Sequence, residues 1–201
     1  YISNQTSDNR RNVARKYANA IITEGFDNSR VVINFSNFAH FASSTRSVGY
    51  KYALDEIGRN DILDMNSEDA LNELMHYFAN DCITIDDKIT LDCISATLYI
   101  LEIEHPADLK NIETNTLIKV LVCQFAKFKF AQLFDKQIRN KDPLNADKII
   151  LDMQNYIYYT MENSLTNELL SSINPQNLAE EKIVKEIIEQ AFNLMKEFYG
   201  E

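Results

Sequence analysis

Two segments of the sequence carry the glutamate and histidine spacing of a helical metal site. They are Glu73-Leu-Met-His76 and Glu102-Ile-Glu-His105. Di-iron bundles use two such motifs and two further glutamates, all pointing into one core. A tight turn near 81–84 makes these helices antiparallel neighbours, and Glu102 then lies roughly 15 Å beyond the level of Glu73. Since metal ligands lie at about 2 Å from the metal, we predict no metal site.

His40 is the second candidate for chemistry, because Ser43 and Ser44 follow it closely. A serine nucleophile needs a base that a third group orients, and the sequence identifies no such group. His40 is therefore interpreted as a hydrogen-bonded histidine at the edge of a core. The chain also has no Gly-rich loop that opens a helix and no G-K-[ST] motif. We predict no catalytic residue, no cofactor and no enzymatic activity.

The cysteines are three in number, and their spacing matches neither a zinc site nor a disulfide framework. Cys82, Cys93 and Cys123 are expected to be free and buried on apolar helix faces. Free cysteines are typical of a reducing compartment, so a cytoplasmic location is predicted. The apolar runs fall far short of the roughly 20 residues that cross a bilayer, so no membrane contact is predicted.

Aromatic side chains are concentrated in two segments. Between Phe125 and Phe134 they alternate with Lys127 and Lys129, which would allow base stacking in a single-strand nucleic-acid binder. On a helix the same pattern gives a packed aromatic face with lysine stems reaching water, and we favour this second interpretation. The tyrosines of the second segment cover most of a helix circumference, so at least one should face a partner: Tyr156, Tyr158 and Tyr159.

The net charge of −10 is unevenly distributed. Residues 1–54 carry seven basic and three acidic side chains, a net charge of +4, whereas residues 55–201 have a net charge of −14. The acidic part should repel phosphate backbones, so direct nucleic-acid binding is not expected. The densest basic cluster is either a solvated helix start or a contact for an acidic partner, and it consists of Arg10, Arg11, Arg15 and Lys16.

Hydrophobic residues recur at helical spacing along most of the chain, which predicts an all-α, multi-helix bundle of about seven or eight helices. A strand at the start of the second helix is the alternative there, but no partner strand is evident. Ser43, Ser44 and Thr45 are expected to break that helix. The predicted helices are 8–24, 31–42, 48–57, one capped by Ser67, 84–102, 116–139, one starting at Asp142-Pro143 and a last one starting at Asn174-Pro175.

The weakest joint in this pattern lies between Gly58 and Asn66. It divides the chain into a small basic N-terminal helical unit, residues 1–58, and an acidic helical bundle, residues 59–201. One continuous domain is the alternative.

Two segments resemble proteins of the QatB family. From Asn34 to Ala53, an F-x-x-F-A-like piece precedes a helix of small residues. Further along, the family segment T-I-D-x-x-I-x-x-D is matched by Thr84, Ile85, Asp86, Ile89 and Asp92. Beyond Leu117 the resemblance is one of helical pattern and length.

This resemblance implies a component of a four-gene bacterial anti-phage system. Its companions there are an ATPase, a QueC-like enzyme similar to those that make 7-deazaguanine, and a TatD-like nuclease. QatB-like chains carry no recognised catalytic motif, and many begin with a flexible tail rich in Gly, Ser and Pro. The resemblance makes the QueC-like protein the expected direct partner and that tail a candidate for what it acts on.

We therefore expect a non-enzymatic helical partner or scaffold subunit that docks a companion enzyme. The candidate partner-binding residues are Arg10, Arg11, Arg15, Arg46, Tyr50, Tyr156 and Tyr159. One alternative is a helical-bundle enzyme that contains a metal. The other is a helical transcriptional regulator, for which the turn from Glu24 to Arg30 is long for a helix-turn-helix.

Overall fold

A 28-residue helix, Thr114–Lys141, is buried on all sides over its middle turns. Every residue from 120 to 126 is buried, including the polar Gln124. A helix with no solvated face must be covered by other elements on every side, and such a helix lies at the centre of a fold. The uninterrupted run Val-Leu-Val-Cys-Gln-Phe-Ala at these positions explains this placement.

A computed structural model of the protein describes residues 7–25, 30–171 and 181–197. These residues form α-helices, short 3₁₀ turns and connecting loops, with no strand among them, so the all-α prediction is confirmed. Eight of the described α-helices have seven residues or more. In chain order the α-helices are α1 (Ser7–Glu24), α2 (Arg30–Ser47), α3 (Tyr50–Glu56), α4 (Ser67–Phe78), α5 (Ile85–Ile100), α6 (Thr114–Lys141), α7 (Ala146–Ser164), α8 (Asn167–Ser171) and α9 (Glu181–Glu197).

The other helices surround α6. Helices α5 and α7 pack along it, α2 contacts α5, α6 and α9, and α1 pairs with α9. One hydrophobic core extends from Ala14 on α1 to Met195 on α9, and it includes residues on both sides of position 58. The division into units 1–58 and 59–201 stays a prediction, and the shared core favours the alternative of one continuous domain.

Tyr17 attaches α1 to the central helix. Its side chain is fully buried, and its hydroxyl donates a hydrogen bond to the Ala126 carbonyl at 2.7 Å. Its ring meets those of Phe130 and Phe192 edge-on, at centroid distances of 5.5 and 5.6 Å. Burial raises the pKa of Tyr17 well above its ordinary value, so the hydroxyl remains a donor. The contacts of one side chain thus join α1, α6 and α9.

A buried carboxylate attaches α2 to α5. Thr84 and Asp87, three residues apart in the sequence, form a capping box at the start of α5. Asp87 is 0% exposed, and it also accepts hydrogen bonds from Arg30 Nη1 at 3.1 Å and Asn34 Nδ2 at 3.4 Å. Burial raises the pKa of Asp87, but the bonds from Thr84 and Asn34 and the charge of Arg30 outweigh this, and the net pKa is lowered. The carboxylate is therefore ionised at neutral pH.

The serine-rich end of α2 is helical, so the predicted break at Ser43 to Thr45 is wrong. The hydroxyl of Ser47 donates to the Ser43 carbonyl at 2.9 Å, and that of Ser44 donates to Glu56 at 2.9 Å. These bonds satisfy the hydroxyls without opening the helix. The chain turns instead at Gly49, whose φ of 101° suits a residue without a side chain.

Two helix starts differ from their predictions, and a third prediction falls outside the described residues. Asn66 rather than Ser67 caps α4, because its side chain accepts a hydrogen bond from the Asp69 amide at 3.0 Å. Asn145 is the residue before α7, and Asp142 caps the preceding turn by accepting from the Asn145 amide at 3.3 Å. The predicted start at Asn174-Pro175 and residues 26–29 of the turn between α1 and α2 lie outside the described residues.

The chain reverses between α4 and α5 through three consecutive residues in the left-handed region. Asn80, Asp81 and Cys82 have φ values of 48°, 53° and 57°. Left-handed backbone costs roughly 1–2 kcal/mol per residue for L-amino acids, and Asn and Asp tolerate it best. The predicted tight turn near 81–84 is present, and we call residues 80–82 the left-handed elbow.

Removing the Tyr17 hydroxyl should destabilise the protein. We expect Tyr17→Phe to lower the free energy of unfolding by about 1 kcal/mol, because a buried hydrogen bond is lost while the ring contacts remain. Urea denaturation followed by circular dichroism measures this change. Tyr99→Phe removes the same hydroxyl from an exposed side chain and should leave stability unchanged. Equal stability of Tyr17→Phe and the wild type would contradict the assigned role.

The contribution of Asp87 to stability should depend on pH. Its folded-state pKa lies below the unfolded value of about 3.9, so its stabilisation is present above that pH and is lost as pH falls through the folded pKa. Asp87→Asn should therefore be less stable than the wild type by about 1–3 kcal/mol at pH 7, and this difference should narrow below about pH 4. Urea denaturation at pH 7, 5 and 3.5 measures both effects.

Asp92, also on α5, provides a control, because the effect of its charge on stability has the opposite sign. Burial raises the pKa of Asp92, so its charge opposes folding at neutral pH. Asp92→Asn should be at least as stable as the wild type at pH 7, and the two should converge in acid. A pH-independent loss of stability in Asp87→Asn would show that shape rather than charge matters at that position.

Candidate interaction surface

The two glutamate and histidine motifs lie in separate places and make structural bonds. Glu73 on α4 accepts a hydrogen bond from Arg59 Nη2 at 2.8 Å. His105 lies beyond the end of α5, as predicted, and caps the 3₁₀ turn Pro106–Asn111, because its Nδ1 accepts from the Ala107 amide at 3.0 Å. Within 7–25, 30–171 and 181–197, no group of three or more His, Cys, Asp or Glu side chains could hold a metal ion.

His40, Ser44 and Glu56 form a cluster where α2 meets α3. His40 Nε2 lies 3.0 Å from Glu56 Oε1, and the Ser44 hydroxyl donates to Oε2 at 2.9 Å. The carboxylate thus stands between histidine and serine, whereas a catalytic triad places the imidazole between the other two. The His40 bond lowers the pKa of Glu56 more than its partial burial raises it, and the Ser44 bond adds to the lowering. The cluster is a charged side chain held in place by two neighbours.

All three cysteines are free, and Cys93 and Cys123 are buried as the sequence predicts. The prediction of a buried helix-face position is wrong for Cys82, which is half-buried because it lies in the left-handed elbow. Burial raises the pKa of each thiol, and neighbouring carboxylates add to this at all three. A thiol with a raised pKa is a poor nucleophile at neutral pH, because the thiolate is the reactive form.

The segment of alternating aromatics and lysines on α6 packs into the core. Phe125 and Phe130 are buried, and Lys127 lies over the ring of Phe128 at 5.6 Å. The ammonium of Lys129 lies within about 4 Å of carboxylates on α1 and α5. These contacts support the packing interpretation over base stacking.

The predicted partner-binding residues fall in three places. On α1, Arg11 is exposed while Arg10 and Arg15 are half-buried. On α7, Tyr156 is half-buried, and the exposed Tyr159 packs edge-on against Tyr158 at 5.7 Å between ring centroids.

The third place is the corner between α2 and α3. Arg46 is exposed there and forms an ion pair with Glu113 at the start of α6. Tyr50 is half-buried, and its ring meets those of Phe41 and His105 edge-on. Burial raises the pKa of Tyr50 to about 12, so its hydroxyl stays protonated.

Exposed apolar side chains extend this corner into a surface. Val48 is 58% exposed and Tyr52 is 68% exposed. A cleft of about 610 Å³ opens between the end of α2 and one face of α3, and it is lined by Ser44, Ser47, Val48, Tyr52 and Glu56. We call these five residues the corner cleft. Clefts of 300–1,000 Å³ are typical of binding sites.

The sequence predicts residues next to this cleft, Arg46 and Tyr50, but not the residues that line it. The sequence predicts Tyr50 as an aromatic contact, but Tyr52, two positions on along the same helix, is the more exposed of the pair. A helix turns about 200° in two residues, so one tyrosine faces the core when the other faces solvent. Glu56 lies four residues after Tyr52 and shares its face.

A second cleft, of about 380 Å³, lies between the first turns of α2 and the left-handed elbow. Its walls carry three asparagine amides and the Arg30–Asp87 ion pair. It is lined by Arg30, Ile33, Asn34, Asn37, Tyr77, Phe78, Asn80 and Asp87. Because Asp87 is already bonded to Thr84, Arg30 and Asn34, the pair serves first to hold α2 against α5.

The helices in the described ranges are too short or too polar for a bilayer-crossing segment.

Comparison with known proteins assigns a family. The family model described as Qat anti-phage system associated protein QatB matches residues 29–195. This match extends from just before α2 to the last turn of α9 and includes both segments that carry the resemblance. No curated protein and no solved structure shows significant similarity to the chain. The chain belongs to the QatB family of Qat anti-phage system associated proteins.

Proposed function

We propose that this protein is a non-catalytic subunit of the Qat anti-phage system and that it docks the QueC-like enzyme of that system through the corner between α2 and α3. The observation that carries the proposal is the exposure of Val48 and Tyr52 in the corner cleft. Apolar side chains that stay in water lose favourable burial free energy, and contact with a partner would recover it.

The state of the reactive side chains also supports a binding role. Glu73 and His105 make structural bonds, and the Glu56 carboxylate is shared between His40 and Ser44. A catalytic site needs such groups to converge on one reacting atom. The buried thiols of Cys93 and Cys123 fit a reducing compartment, and we place the complex in the cytoplasm.

Other members of the system are further candidate partners. The ATPase and the TatD-like nuclease could contact the remaining predicted surfaces, which are the arginines of α1 and the tyrosines of α7.

The two alternative functions that the sequence leaves open would each give a different experimental result. A metal enzyme requires stoichiometric iron, manganese or zinc by elemental analysis, and a transcriptional regulator requires a specific band in a gel-shift assay at low salt.

The proposal predicts direct binding at the corner. The full chain and the purified QueC-like protein should associate at micromolar concentration or below in biolayer interferometry. Val48→Lys should weaken this binding by about tenfold or more, because an ammonium group in place of the apolar side chain would be desolvated in the interface. The same variant should reduce protection against phage in cells that carry the whole system.

Leu144→Lys provides the matched control, since Leu144 is 95% exposed in the turn between α6 and α7. It introduces the same charge away from the corner and should leave affinity and protection unchanged. Absence of any association of the wild-type chain would contradict docking of this enzyme. Loss of binding in Tyr159→Ala with none in Val48→Lys would move the contact to α7.

A further inference from the structure

We propose that the corner cleft is a lysine-binding subsite, which receives one lysine side chain of the docked partner protein between Glu56 and Tyr52. This inference rests on the proposed function, because it specifies the chemistry by which the corner recognises its partner.

Glu56 supplies the charge that a lysine ammonium requires. It is the one carboxylate among the cleft residues in the described part of the chain, and its side chain is 48% exposed. One oxygen contacts His40 and the other accepts from Ser44, so the carboxylate is held in a single orientation. A carboxylate oxygen accepts more than one hydrogen bond, and both oxygens keep capacity toward the cleft.

The end of α2 adds negative potential to the same place. Ser44 and Ser47 lie in the last turn of this 18-residue helix, where the helix dipole places a partial negative charge. Both serines line the cleft, and a serine hydroxyl oxygen can accept a hydrogen bond from an ammonium group. A cation in the cleft would therefore meet a full charge, a dipole and two acceptors.

The remaining walls suit the methylene chain of a lysine. Val48 provides an aliphatic surface, and Tyr52 provides an aromatic ring on the opposite helix. Lysine side chains bury their stems along apolar surfaces, and their ammonium groups are attracted to aromatic faces. Lysine is favoured over arginine because each oxygen of Glu56 already has one neighbour, which obstructs the two parallel bonds of a guanidinium.

Basic residues near the cleft leave room for a further cation at Glu56. His40 contacts one oxygen of this carboxylate at 3.0 Å, and the exposed side of the carboxylate can accept another hydrogen bond. Arg46 is engaged by Glu113 at the start of α6. Lys51 precedes Tyr52 on α3, and a rotation of about 100° per residue places it off the cleft face.

Binding to the QueC-like protein tests the inference with paired variants. Glu56→Gln removes the charge and keeps the shape and the acceptor for Ser44, and it should weaken binding about tenfold, the effect of losing one charge-assisted hydrogen bond. Tyr52→Ala should weaken it about three- to tenfold. The controls Glu68→Gln and Tyr99→Ala remove the same groups from exposed positions on α4 and α5 and should bind as the wild type does.

Two further measurements identify lysine as the ligand. Wild-type affinity should fall with added salt more steeply than that of Glu56→Gln. Carbodiimide treatment of the complex should join the Glu56 carboxylate to a lysine amine of the partner, and mass spectrometry would identify the linked peptides. Thermal unfolding verifies that each variant is folded; if Glu56→Gln is not, Tyr52→Ala and the cross-link decide the result.

The outcomes separate the two proposals. If the wild type binds but Glu56→Gln and Tyr52→Ala bind equally well and no cross-link forms at Glu56, the lysine subsite is wrong and the docking function stands. If the wild type does not bind at all, both are wrong. Weakened binding of the two variants with unchanged controls, together with the cross-link, establishes the subsite.

Discussion

Burial of the middle of α6 on every side is the constraint from which the rest of the fold follows. Residues 120–126 have no solvated face, so each direction around the helix must be filled by another apolar surface. Helices α2, α5 and α7 contact α6 directly, and Tyr17 of α1 and Phe192 of α9 reach it through a hydrogen bond and a ring contact. The outer helices are amphipathic, because each turns an apolar face toward the core and a polar face toward water, whereas the middle of α6 is buried on every side.

The same constraint determines what the polar groups can do. A polar side chain inside such a bundle is stabilised by a partner there, and Ser36 and Ser164 donate to the carbonyls four residues earlier in their own helices. The Tyr17 hydroxyl and the Asp87 carboxylate are used to join helices. Groups that bind another molecule must therefore lie at the surface. The corner between α2 and α3 is such a place, because it combines exposed apolar side chains with the carboxylate of Glu56.

Local patterns predict the helical elements well because they act through neighbours in sequence. The capping pair Thr84 and Asp87 is an example, since each partner lies within one turn of the other. The predicted break at the serine-rich end of α2 is wrong because the Ser44 hydroxyl finds its acceptor on another helix, which sequence spacing does not show. The pairing of Ser44 with Glu56 crosses from one helix to the next. The corner cleft depends on that tertiary contact, so sequence spacing alone indicates Arg46 and Tyr50 beside it rather than its lining.

The left-handed elbow at residues 80–82 has a consequence for how this sequence can vary. Three adjacent residues occupy a region of backbone space that is costly for any side chain beyond glycine, and Cys82 has neither the amide of Asn80 nor the carboxylate of Asp81 to compensate locally. Substitution by glycine should be tolerated there, whereas valine, isoleucine or threonine would oppose the reversal between α4 and α5. The elbow thus tolerates only a few small residues. It differs in this from most surface positions, where the sequence is ordinarily free to change.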